Sequence, residues 1–172
     1  VTVDNSGNVL INHDSSEGGH KLVANANSSV AMLMRRGANN GSVCSIMRGT
    51  AYVGSISVSA GATAFNTSSD YRLKENVVDL DGAIDRVKQL APKRFNFIVD
   101  ADRTVDGFLA HEAQTVVPEA VTGTHNEVDD DGNAVMQGID QSKLVPLLTA
   151  ALQEAIAKIE TLETKVTALE NA

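Results

Sequence analysis

In the stretch SSDYRLKEN, Ser69 and Lys74 lie five residues apart and are of the types that do nucleophilic chemistry. A hydroxyl attacks a carbonyl effectively only when a base removes its proton, and an amine is such a base only when neutral. An ordinary lysine is neutral in about one copy in 2,500 at pH 7. A working site must therefore weaken the amine's hold on its proton, by burial or by nearby positive charge. Arg72 is the neighbouring cation, provided its side chain turns the same way. Five residues of strand span roughly 17 Å, and five of helix rise roughly 7.5 Å. Contact thus needs a turn between the two, or a lysine donated by another chain. The spacing alone is weak evidence, because a serine near a lysine is usually plain surface. Asp70 reads as the structural cap of such a turn, with no catalytic role.

Other constellations are weaker. His111–Glu112 imitates half of a zinc-peptidase motif, but position 115 is Thr where the second histidine belongs. EVDDDG sets Glu127, Asp129, Asp131 and Gly132 at the first, third, fifth and sixth places of a calcium loop. Its twelfth place is Gly138, not the bidentate Glu, so a solvated turn is the better reading. His13, His20 and His125 have no ligand spacing, and we expect neither metal nor cofactor. The single Cys44 excludes an internal disulfide framework and reads as a small buried or half-buried apolar side chain.

The elements around the pair change character at the same point. Residues 1–68 carry four basic and three acidic groups, a balance of +1; the other 104 residues carry ten and nineteen, or −9. An acidic C-terminal part lacks the clustered basic face that phosphate neutralisation needs, so nucleic acid is not an expected partner. No stretch is apolar and long enough to insert in a bilayer, and the first residues lack the pattern of a signal peptide. The absence of a starting Met reads as a piece of a longer chain.

Residues 1–68 alternate like strands but hold few large side chains. VTVDNSGNVLIN places a Ser-Gly-Asn turn between two alternating runs, and GSISVSA sets Ser on one face with Ile56 and Val58 on the other. SVAMLMRRG and SVCSIMRGTAYVG are short apolar runs closed by Gly or Arg-Gly. Segments so thin cannot wrap a core alone. Three identical chains sharing one axis can, which predicts a β-rich fibrous shaft segment with a shared-core trimeric β-helix; a small independent β-sandwich is the competing architecture.

From residue 69 the pattern predicts an α+β domain. Ala83, Ile84, Val87 and Leu90 fall at helical spacing, with Asp81 as cap and Pro92 as stop. A strand with Phe95 and Phe97 on one face follows, then a strand, a short helix and a stop at Pro118, and a hairpin turning at Asp-Gly-Asn. A long helix over about 141–171 closes the chain, with Pro146 in its first turn. Val145, Leu152, Ile159 and Val166 at one heptad position, with Leu148, Ala155, Leu162 and Leu169 at another, form a narrow coiled-coil-like seam. Such a seam suits partner helices better than a globular surface. β-Branched residues at the first position favour two strands, while Ala155 and the wider face around Leu144 and Leu147 weaken that preference; the helix predicts oligomers and leaves their number open.

SSDYRLKENVVDL, APKRFNF, DGFLAHEAQTVVPEAV and QGIDQSKLVPLLTAALQEAIAKIETLE, in that order, resemble the C-terminal intramolecular chaperone of bacteriophage tailspikes and tail fibres, a family of self-cleaving serine peptidases. The resemblance covers about residues 69–172, and the turn-rich N-terminal stretch is similar to fibre shafts. The family usually has Gln where this chain has His111, a departure outside the Ser-Lys pair.

The resemblance implies a homotrimer in which the chaperone drives trimerisation and folding of the shaft. It implies that Ser69, with Lys74 as base, then cuts the Ser68–Ser69 bond once, on its own chain. The parent fibre would be a virion component assembled in the host cytoplasm, its released chaperone not retained. The alternative is a non-cleaving trimeric tip whose shaft segment, residues 1–68, binds a host cell-surface receptor.

Overall fold

A computed structural model describes Thr2–Val3, Val9–Leu10 and residues 32–172. The Ser-Gly-Asn turn, His13, His20 and the start of SVAMLMRRG lie outside the described residues. The chain divides into two compact units, Val1–Glu75 and Asn76–Ala172, and folds as mixed α+β with a long C-terminal helix.

In the first unit, β1 (Thr2–Val3) pairs antiparallel with β2 (Val9–Leu10). Residues 32–37, the apolar run ending in Arg-Arg-Gly, form no strand; Arg36 Nη1 instead donates to the Ser42 carbonyl at 3.1 Å. The main feature is a three-stranded antiparallel meander, β3 (Gly41–Arg48), β4 (Ala51–Val58) and β5 (Thr63–Thr67). Gly49, at φ +60°, opens the β3–β4 turn in a conformation that costs other residues more. Register sets Cys44, Ile56 and Phe65 in one apolar row across the strands, and Ser45, Ser55 and Asn66 in a polar one. Asn66 Nδ2 donates to the Ser55 and Ser57 hydroxyls at 3.3 and 2.8 Å, which satisfies the buried Ser55. Phe65 is 80% exposed, so the apolar row has no cover within the sheet. Among the described residues of this unit the strands form two sheets, this one and the β1–β2 pair.

The second unit begins with α1 (Ala83–Val87), which packs against α3 (Leu144–Glu170). The expected cap, Asp81, does not serve. Gly82 occupies the cap position at φ +62° with no side-chain bond, and the free N–H groups of Ala83 and Ile84 donate to Glu154 on α3, at 2.7 and 3.1 Å. A carboxylate beside helical N–H groups does the work of a cap from a distance in sequence. The α-helix ends at Val87, short of Pro92, and tight turns carry the chain on, so that Ile84, Val87 and Leu90 all line the core.

β6 (Lys93–Phe97) and β7 (Asp100–Gly107) form a hairpin, with the Phe95 and Phe97 rings edge to face at 5.4 Å. Next come α2 (Ala110–Gln114), a 3₁₀ turn at Pro118–Ala120, and β8 (Val121–Thr122) paired with β9 (Gly138–Ile139). Between β8 and β9 the expected turn forms at Asp-Gly-Asn, with Gly132 at φ +82°. The core is slight: Ala83, Ala113, Val116, Val117, Ala120, Val121, Leu144, Leu147 and Ala151.

α3 shows two faces. Leu144, Leu147 and Ala151 are buried against the unit's own core, whereas Val145, Leu148, Leu152, Ile159, Leu162, Val166 and Leu169 are exposed. The heptad seam is therefore a different stripe from the one the unit covers itself. No helix among the described residues is long and apolar enough to cross a membrane.

Candidate functional site

The site is built where β5 ends. Beyond Thr67 the chain stays held to β4: the Ser68 N–H donates to the Val53 carbonyl at 3.0 Å and the Ser68 hydroxyl to the Tyr52 carbonyl at 3.2 Å. Ser69 follows with no strand partner, and Asp70 keeps an extended backbone at φ −62°, ψ 137°. Its side chain caps a single 3₁₀ turn, Tyr71–Leu73, by accepting from the Arg72 N–H at 2.9 Å. The Leu73 and Lys74 N–H groups then donate to the Asp70 and Tyr71 carbonyls, each at 3.1 Å.

That turn closes a gap that an extended chain would leave near 17 Å. Lys74 Nζ donates to Ser69 Oγ at 2.8 Å, within one chain. Both residues are exposed. With the amine protonated, the bond runs from nitrogen to oxygen; proton removal from the hydroxyl needs the same contact with the neutral amine accepting.

Arg72 does not leave its charge free beside the lysine. Nε and Nη2 each donate to the Asp70 carboxylate at 2.8 Å, a two-pronged pair. This pairing, with the Arg72 backbone N–H second, holds the Asp70 carboxyl below its ordinary range and raises the Arg72 guanidinium. Among the described residues the dyad is exposed and its neighbouring cation, Arg72, is already paired.

The other candidates have ordinary partners. His111 and His125 lie with ring centroids 4.3 Å apart, a contact that fourteen residues of separation gave no hint of. Glu112 Oε2 sits 3.4 Å from Lys93 Nζ, at ion-pair distance and outside hydrogen-bond geometry. Asp129 accepts from the Asn133 N–H at 2.8 Å and the Asp131 N–H at 3.0 Å, and these bonds, those to Asn133 foremost, lower its carboxyl. Glu127 accepts from the Thr124 N–H at 3.0 Å. The acidic loop thus ties its own turn, and among the described residues no three His, Cys, Asp or Glu gather as a metal set would.

Residues 69–122 match the family model of peptidase S74, described as the chaperone of endosialidase. Over 102 residues the chain is 31% identical to the long tail fiber protein Gp37 of Enterobacteria phage K3, and equally to that of Enterobacteria phage T2. The matches cover 57% of this chain but only 8% and 7% of those proteins, so the chain spans a small part of the relatives' length.

Proposed function

We propose, from the match of residues 69–122 to the endosialidase-chaperone family model and the chain's similarity to phage long tail fibres, that this chain assembles a fibre and then cuts itself. Three copies associate through the α3 seam, and residues 1–68 supply a thin apolar face to a shared shaft. Ser69 cuts the Ser68–Ser69 bond with Lys74 as general base. The observation that carries the reading is the 2.8 Å contact between Lys74 Nζ and Ser69 Oγ, directly after a residue tied to β4.

The chemistry is a single turnover. The neutral amine takes the hydroxyl proton as Oγ bonds to the Ser68 carbonyl carbon, closing a five-membered ring. The C–N bond breaks, and the proton passes to the leaving nitrogen, which becomes the α-amine of Ser69. Water then hydrolyses the resulting ester, leaving a carboxylate on Ser68 and restoring the Ser69 hydroxyl. The dyad is exposed, and a neighbouring copy lying over it would supply desolvation. Interwound strands have many wrong registers, and a trimeric domain at one end raises the effective concentration of the right one.

Freshly expressed protein should separate under denaturing conditions into residues 1–68 and 69–172, while Ser69→Ala and Lys74→Ala each stay at 18.1 kDa. The exposure of the dyad favours a second reading, a non-cleaving trimeric tip that binds a host receptor; a parent chain that stays whole on prolonged incubation would remove the cutting claim and leave this reading in its place.

A further inference from the structure

We propose that Asp70 is a positioning residue for self-cleavage, whose side chain, gripped by Arg72, fixes the turn that carries Lys74 back onto Ser69. The inference deepens the Ser-Lys reading and rests on it. Packing does not hold this turn: it buries no residue, and Tyr71 and Leu73 are 80% and 69% exposed. A lone 3₁₀ turn has poor hydrogen-bond geometry and little intrinsic stability. What specifies it is one carboxylate bonded three times, to the Arg72 N–H at 2.9 Å, to Nε at 2.8 Å and to Nη2 at 2.8 Å. Once the turn frays, the chain extends and the 2.8 Å contact opens towards the roughly 17 Å of a strand.

The charges around Asp70 are Arg72, paired with it, and Lys74, which adds a weaker pull on its carboxyl in the same direction. Asp70→Ala removes both cap and ion pair. Asp70→Asn keeps an oxygen for the Arg72 N–H but removes the anion. That leaves an unpaired guanidinium two residues from the lysine, which then gives up its proton more readily. The two variants therefore separate the turn from the charge.

The test follows the cut fraction by denatured mass across a range of pH. Asp70→Ala should cut at least tenfold more slowly than the parent at every pH, whereas Asp70→Asn should keep most of the maximal rate and reach half of it at lower pH. A second readout uses Ser69→Cys in a Cys44→Ser background, taken on the chain that is still uncut, with iodoacetamide as probe. Beside Lys74 the thiol introduced at position 69 should alkylate at a pH below the midpoint of about 8.5 of a free thiol. Adding Asp70→Ala should restore free-thiol behaviour, and adding Asp70→Asn should not. Unchanged cutting and unchanged alkylation in Asp70→Ala would overturn the proposal. Cutting in Ser69→Ala, or none in the parent, would instead sink the dyad, and the alkylation profile would still decide the role of Asp70.

Discussion

At the scale of single residues, the groups that matter act through carboxylates placed beside backbone N–H groups. Glu154 accepts from Ala83 and from Ile84, and these bonds, in that order, hold its carboxyl below the ordinary value. A lowered carboxylate contributes stability that is present above its unfolded value and is lost as pH falls through the folded one. Thermal melts of Glu154→Gln should therefore lie below the parent's at neutral pH and converge with them in acid; parallel melts at all pH would show that the cap contributes nothing. Ser69 and Lys74 stand out as candidates in the sequence because their types and the surrounding pattern carry the signal. Their contact does not, since five residues bring two side chains together only through a turn, here the one that Asp70 caps. Glu154 gave no signal at all: a cap supplied from 70 residues away obeys no local pattern.

Elements were more readable than contacts. Alternation located β4, Pro and Gly marked the ends around α2 and the Asp-Gly-Asn turn, and periodicity located α3. The length of α1 was misjudged because Ile84, Val87 and Leu90 face the core through successive tight turns as well as they would along one helix. The element with a functional consequence is the β4–β5 pair, which sets the acyl side of the proposed scissile bond by way of Ser68. A Cβ at Gly54 would stand 2.5 Å from the Asn66 carbonyl oxygen, backbone that cannot yield without displacing β5. Overpacking of this kind costs about 1–3 kcal/mol, so Gly54→Ala should slow cutting on the order of tenfold. Gly61→Ala, with open space around it, should cut like the parent. Equal rates in the two variants would show that strand pairing does not hold the bond.

For the whole molecule, the account turns on association. The second unit has a slight core rich in alanine, while Leu152, Ile159 and Leu162 on α3 remain exposed. Burying a Leu or Ile side chain stabilises by about 1.5–3 kcal/mol, and the proposed trimer would draw on a seam of them. By light scattering the parent should give trimers, and Leu152→Glu together with Ile159→Glu should give monomers; a monomeric parent would remove the basis for a shared shaft. The central claim, that this chain cuts itself at Ser69, is tested most directly by sequencing the N-terminus of the C-terminal fragment from freshly expressed protein. The account predicts a fragment that begins Ser-Asp-Tyr-Arg-Leu-Lys. A fragment beginning elsewhere, or no fragment at all, would contradict it.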